Sequence, residues 1–194
     1  MVYSKLFFMY LGIILAIIGY TSYFYKIFTH KTKPHAFSWF LWALLPGIAF
    51  AVQVSKHAGA GAWVTGISAL ICFVIFLLSL WYGQRKFSRL DWLFLGIALV
   101  ALIWWQITND PTLSIILVSL ADAFGFIPTI QKSYSKPDEE SVTLYALSFI
   151  KWIIALLALE SYSLATWLYP ASLVLTNGIF VSLVLIRRKQ LSKK

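Results

Sequence analysis

Residues 33–44, KPHAFSWFLWAL, line up with residues 136–147, KPDEESVTLYAL. Six of the twelve positions are identical, and Trp42 falls opposite Tyr145. The match continues on both sides. Upstream, Gly19 and Lys26 correspond to Gly125 and Lys132; downstream, Trp63 and Ser68 correspond to Trp167 and Ser172. The spacings are 106, 103 and 104 residues, so short loop gaps keep the register. Chance likeness between apolar helices would account for the last match taken alone. It does not account for a Lys-Pro segment in register with both flanks, and internal repeats are to be weighed before any motif.

The chain around this duplication has 194 residues, of which 60% are hydrophobic and 12% charged. Its mean hydropathy is +0.80. A soluble domain carries about 25% charged residues. The composition therefore disfavours a water-soluble globule, a disordered tail and a nucleic-acid binder. Seven stretches approach the roughly 20 apolar residues that a bilayer crossing needs. They run over Leu6–Phe28, Ala36–Gln53, Ala62–Tyr82, Leu90–Ile107, Thr112–Gln131, Val142–Leu159 and Leu164–Ile186. The first follows Lys5 without a small-residue cleavage site and reads as a retained helix. The single Cys72 lies inside an apolar run, so no intramolecular disulfide can form.

The expected fold is an all-α membrane protein of seven transmembrane helices. Three helices make the first unit (1–83) and a fourth (84–111) brings the chain back. Three more make the second unit, which ends in a basic tail (112–194). Two units starting on the same side are parallel repeats, related by an axis along the membrane normal. The fourth helix, without a counterpart or an intramembrane charge, reads as a linker.

The net charge of +9 gains its meaning from placement. Lys5 and Lys56 fall on the N-terminal side. Lys26, Lys31, Lys33, Arg85, Lys86, Arg89, Lys132, Lys136, Arg187, Arg188, Lys189, Lys193 and Lys194 fall on the other, two against thirteen. The positive-inside rule then puts the N-terminus outside and the C-terminus in the cytoplasm, with a bacterial inner membrane as the expected location. Trp63, Trp104, Trp105 and Trp167 near one interface, and Trp81 and Trp92 near the other, fit an aromatic belt.

The segment GFIPTIQKSYSKPDEES, Gly125 to Ser141, has a proline late in a helix, a glutamine, a basic loop and a serine opening the next helix. With the 3+1+3 plan, it resembles the PQ-loop superfamily: SWEET sugar transporters, half-size SemiSWEETs and lysosomal amino-acid transporters such as cystinosin. Pro128 and Gln131 are separated here rather than adjacent, and Ser22 stands at the first-repeat position matching Pro128. The vitamin transporters of the PnuC type share a similar helix plan, but their Trp- and Asn-rich signature is not found. The resemblance implies a transporter of a small polar solute working by alternating access. A non-transporting receptor or scaffold on the same plan, as in the KDEL receptor, is the alternative.

Ionisable residues inside a membrane point to function by default. Asp122 lies ten residues before Lys132, Lys151 ten after Ser141, and Asn177 ten before Arg187. At 1.5 Å per residue this is about 15 Å, half of a 30 Å hydrocarbon core, so all three are expected near the midplane. Their first-repeat counterparts by sequence are Ala16, Ile48 and Phe73, which predicts one polar wall and one apolar, aromatic wall. Asp122, Lys151, Asn177, Trp42, Tyr145 and Phe73 are the candidate substrate-binding residues, with Tyr20 and Trp39 as further aromatic candidates. Asp122 and Lys151 are expected to form a salt bridge, either positioning two helices or exchanging with solute or protons. The resemblance adds that Asp122, nine residues before Gln131, is like the Asp of proton-coupled members. It also adds that Asn177 is like the sugar-binding Asn of SWEETs, although Phe73 stands where those proteins repeat it.

Pro46, Pro128 and Pro170 are expected to interrupt helices two, five and seven and are candidate hinges. Asp138, Glu139 and Glu140 suit a helix N-terminus. Glu160 reads as a solvated helix end. His30, His35 and His57 lack ligand companions, so no metal or cofactor is expected. An enzyme is not expected either: no HExxH, nucleotide-binding glycine loop or GxSxG elbow occurs. A retinal protein would need a lysine within the last helix, which has none before its end. The expected partners are the lipid bilayer and a small polar solute, with protons as a candidate coupling ion and no nucleic acid.

Overall fold

In apolar surroundings each backbone N–H and C=O must be bonded within its own segment, so long apolar runs become helices. The computed structural model describes residues 2–30, 34–83, 89–135, 137 and 142–191, with backbone alone at residues 90, 91, 128, 129, 131 and 132. Its helices are α1 (Val2–Phe28), α2 (Ala36–Ser55), α3 (Ala60–Tyr82), α4 (Arg89–Thr108), α5 (Thr112–Gly125), α6 (Ile127–Ser135), α7 (Val142–Ala158) and α8 (Leu164–Leu191). The stretches Tyr3–Phe28, Ala36–Ser55, Ala60–Tyr82 and Leu164–Leu191 are each long and apolar enough to cross a membrane. Trp92–Thr108, Thr112–Gly125 and Val142–Ala158 are shorter apolar helices. Lys33, Lys136 and Ser141 of the matched segments, and the acidic run Asp138–Glu140, lie outside the described residues.

The fifth apolar run is not one helix. It breaks at Phe126 into α5 and α6. Pro128 supplies no N–H, and its ring would strike the carbonyl four residues back. The residue before a proline also resists the helical region. The break therefore falls just upstream, where the Phe126 N–H turns back to the Ala123 carbonyl at 3.2 Å. Pro128 then sits in the first turn of α6, where a missing donor costs nothing. Pro46 and Pro170, by contrast, lie inside unbroken helices. The expectation that they interrupt helices two and seven is corrected.

A proline inside a helix leaves the carbonyl four residues earlier without its usual donor. For Pro170 that carbonyl belongs to Thr166. Gln53, on α2 and fully buried, donates its Nε2 to the Thr166 carbonyl at 2.8 Å. The side chain from one helix thus replaces the bond that the proline of another removes.

α1 packs on α3 and α7, α2 on α3, α4, α5 and α8, α7 on α3 and α8, and α5 on α4, α6 and α8. The main core holds many alanines, among them Ala49, Ala60, Ala98, Ala101, Ala121, Ala155, Ala158 and Ala165. Small residues let helix backbones approach closely where no hydrophobic difference drives them together. Among glycines inside the helices Gly61 has the closest approach: a Cβ there would lie 2.7 Å from the Leu159 nitrogen. α4 presses Ala98 and Ala101 into this core and accepts a bond from Ser114 Oγ at the Ala101 carbonyl.

The two ends of the bundle differ. At one end lie the start of α1 and the α2–α3, α4–α5 and α7–α8 turns. Lys5 donates to the Leu157 carbonyl at 2.8 Å. Asp110 Oδ1 accepts from the Thr112 N–H at 2.9 Å, opening α5. Hydrogen bonds from Thr112 hold the Asp110 carboxyl below the ordinary carboxylate range, with a smaller pull from Lys56. At the other end, Arg187 and Arg188 of α8 donate to the carbonyls of Tyr134 and Pro137. Cations there suit the negative end of α6.

The Gln53 bond yields a prediction. Gln53→Leu should lower stability in mild detergent by about 0.6–1.7 kcal/mol, the range of interhelical side-chain bonds in membranes. Pro170→Ala restores a backbone donor for Thr166, so Gln53→Leu should cost less in that background. An equal cost in both backgrounds, read from thermal unfolding, would show that the carbonyl is not what Gln53 serves.

Candidate functional site

Bulky aromatics occupy the half of the bundle away from the alanine-rich core. A cavity of about 450 Å³ opens among them, within the range of small-molecule sites. α1 contributes Tyr20 and Tyr23, α2 Trp39, Trp42 and Pro46, and α3 Ser68 and Cys72. α5 and its break contribute Asp122 and Phe126, α7 Tyr145, Ser148 and Lys151, and α8 Tyr169, Leu173 and Asn177. The cavity reaches Ser22 and Lys26, both exposed near the end of α1. Its mouth is therefore at the end that carries Arg187 and Arg188.

Asp122, Lys151 and Asn177 come together as buried cavity-lining residues, at 5%, 2% and 3% exposure. Trp42 and Tyr145, opposite each other when the two similar segments are aligned, line it too. Tyr20 and Phe126, 106 residues apart like Gly19 and Gly125, form a further matched pair of lining residues.

The expected salt bridge is absent. No ion pair within 4.0 Å joins Asp122 to Lys151 among the described residues. Lys151 Nζ instead donates to Ser68 Oγ on α3 at 3.1 Å and stands 4.2 Å from the Trp152 ring centre. Asp122 Oδ1 accepts from the Tyr169 hydroxyl on α8 at 3.5 Å. The reason is directional: each charge is turned toward a hydroxyl on a different helix. Ser68 in turn donates to the Val64 carbonyl at 2.8 Å, which leaves its oxygen lone pairs for the ammonium.

Phe73 is corrected as well. It is 44% exposed and does not line the cavity; Cys72 lines it instead. Before Pro170, α3 and α8 match in burial at a spacing of 104: Ala62 with Thr166 and Thr65 with Tyr169 are buried, and Trp63 with Trp167 exposed. After Pro170 the matching spacing is 105. Cys72 with Asn177, Ile75 with Phe180 and Ser79 with Val184 are buried, and Val74 with Ile179 exposed. The burial match between the two helices thus shifts by one residue around Pro170. This shift moves the partner of Asn177 from Phe73 to Cys72, and that of Ser68 from Ser172 to Leu173.

Asn177 Nδ2 donates to the Leu173 carbonyl at 2.7 Å. The residue lines the cavity, and no hydrogen bond to its Oδ1 is made among the described residues. Trp39 donates its Nε1 to the Tyr23 hydroxyl at 3.2 Å, with ring centres 4.9 Å apart. Trp42 stands edge-on to Trp39 at 5.2 Å. Pro46 and Pro170 flank this region within their helices. The side chain of Pro128 is not among those described.

Composition patterns did not single out Gln53, Tyr169 or Glu160. The signal for Gln53 was present as a polar residue in an apolar run. Glu160 is exposed, as expected of a helix end, and it also makes contacts the sequence did not foretell. Its backbone N–H donates to the Ala58 carbonyl at 2.9 Å, and its Oε1 accepts from the Ala60 N–H at 3.1 Å, capping α3. Gly59, at φ 67°, lies directly beneath its side chain, where a Cβ would overlap it. Among the described residues no cluster of three or more metal-ligating side chains occurs.

Replacing Ser68 tests the Lys151 anchor. Hydrogen bonds to charged groups contribute about 1.5–3 kcal/mol, so Ser68→Ala should destabilise by that order. In a Lys151→Met background the same change should cost clearly less. Equal costs in a thermal unfolding cycle would mean that the two side chains do not interact.

Compared with known proteins, the chain matches no family model, no curated protein and no solved structure, so the site is read from its own side chains.

Proposed function

We propose that this chain is an integral membrane transporter that moves a small polar solute by alternating access. It crosses the membrane seven times in a 3+1+3 plan, with α5 and α6 together making one crossing. The neighbour pattern supports the plan. Exchanging α1 with α5, α2 with α7 and α3 with α8 turns α1–α3 packing into α5–α8, α2–α3 into α7–α8, α1–α7 into α5–α2 and α3–α7 into α8–α2. All eight of these packings are present. α4 packs on α5 and α2 and links the units. This pattern, with the matched residues of the two segments, supports membership of the PQ-loop type.

The observation that carries the transport reading is the cavity between the two three-helix units. Both units line it, it reaches exposed residues at one end, and Glu160 closes the other. A scaffold would be expected to keep its intramembrane charges paired and its core filled. With the N-terminus outside, as the two-against-thirteen charge count favours, the cavity faces the cytoplasm and the Glu160 clasp is the outer closure. The clasp joins the α2–α3 turn of one unit to the α7–α8 turn of the other. Opening it would reverse access, with the α5–α6 break, Pro46 and Pro170 as the places where helices yield.

Uptake into proteoliposomes tests this reading. Purified protein should exchange at least one solute from a panel of sugars, amino acids and vitamins well above empty liposomes. If protons are coupled, Asp122→Asn should keep downhill exchange and lose accumulation under a pH gradient. Carriage of no solute would overturn the transport reading.

The orientation and the clasp share one experiment. Cysteine at Asp110 should react with impermeant maleimide in intact cells, and cysteine at Ser192 should not. Native Cys72 should be slow from outside in the wild type and faster in Glu160→Ala. Reaction at Ser192 would reverse the orientation, and an unchanged Cys72 rate would remove Glu160 from the closure.

A further inference from the structure

The two charges in the cavity are held apart by their own anchors. Lys151 is tied to Ser68 on α3, and Asp122 to Tyr169 on α8. Both are buried, both line the same space and neither neutralises the other directly. Buried charge is costly without a compensating partner. A neutral solute offers each group hydrogen bonds, as Ser68 and Tyr169 already do, but no opposite charge. A cation or an anion would satisfy one and leave the other. A solute carrying both signs satisfies both.

The remaining walls constrain the rest of that solute. Trp39 has its indole N–H satisfied by Tyr23, so its ring is presented as an apolar surface. Trp42 and Tyr145 add further ring surface from the two units. Aromatic walls favour flat, unsaturated groups by stacking and edge-to-face contact. Asn177, which lines the cavity from α8, carries an amide oxygen that can accept from an ammonium N–H. Pro46 leaves the Trp42 carbonyl without its usual helical donor, a second such acceptor.

We propose that the cavity takes a zwitterionic amino acid with a flat, unsaturated side chain. Its carboxylate is received by Lys151, its ammonium by Asp122, and its side chain by Trp39, Trp42 and Tyr145. This rests on the reading of the cavity as a solute site and names the class of solute.

Cys72 is the protein's one cysteine and lines this cavity, with its Sγ 3.6 Å from the Tyr20 hydroxyl. It reports occupancy without any engineered label. Purified wild-type protein is treated with N-ethylmaleimide and followed by intact mass, alone and with each protein amino acid. The aromatic amino acids are also tested as their amides and N-acetyl derivatives, with glucose and sucrose as uncharged controls. Thermal stabilisation by the same compounds is measured in parallel, so that slow alkylation does not decide the outcome.

At least one of phenylalanine, tyrosine, tryptophan and histidine should slow alkylation or raise the melting temperature. Its amide and its N-acetyl derivative should bind roughly tenfold or more weakly, since each loses one charged contact. Lys151→Gln should erase the gap between acid and amide while keeping the N-acetyl deficit. Asp122→Asn should do the reverse. The proposal is overturned if glucose or sucrose protects as well as any amino acid, if the single-charge derivatives match their parent, or if no amino acid has an effect by either measurement. An amino acid that binds by these criteria but is not carried into proteoliposomes overturns transport and leaves this assignment. A sugar that is carried, with no amino acid bound, does the opposite.

Discussion

The Lys151 ammonium reaches from α7 to the Ser68 hydroxyl on α3, and this bond sets the geometry of everything around it. It links a helix of the proposed second unit to one of the first, at the floor of the cavity. Had Lys151 turned to Asp122 instead, the two charges would have cancelled and the space between them would have had little reason to stay polar. Held on Ser68 and backed by the Trp152 ring, the Lys151 amine stays on the cavity wall. Asp122 is drawn to Tyr169 on another helix and lines the same cavity. The separation of the charges matters more to the chemistry than their presence.

Much of this was legible in the sequence, for identifiable reasons. Helix positions follow from apolar runs because an unpaired backbone is intolerable in lipid. That Asp122, Lys151 and Asn177 line one cavity accords with counting ten residues from Lys132, Ser141 and Arg187. The pairing of Trp42 with Tyr145 followed from the duplicated segment, and both line the cavity. What was not legible needed three-dimensional direction. Counting depth places two charges on one level but does not say which way each side chain turns, so the salt bridge was expected and a pair of hydroxyl anchors is found. The capping role of the exposed Glu160 was hidden because its partners, Ala58 and Ala60, are a hundred residues away in the chain.

The two ends of the molecule are built by different means. The Glu160 end is closed by backbone-level contacts: a carbonyl, an N–H and a glycine that tolerates no side chain. Alanines and Gly61 behind it allow the helices to approach until little space is left. The mouth end is framed by rings, which hold helices apart and leave a space between them. The same helices thus pack closely at one level and loosely at another because the side-chain sizes change along them. That gradient is what a cavity with one mouth requires.

Pro170 ties these features together. It removes a donor from the Thr166 carbonyl, and Gln53 on α2 replaces it, so a defect in one helix becomes a bond between two. The burial match of α8 with α3 also shifts by one residue around it. One residue turns a helix face by about 100°, since 3.6 residues make a turn. Without that shift, Thr176 would stand opposite Cys72 and Asn177 would point where Phe73 does, away from the cavity. With it, Asn177 lines the same cavity as Asp122. Under the proposed duplication, the two units differ in chemistry partly because of which residues they carry. They differ also because the shift around Pro170 turns the second half of α8 to present them.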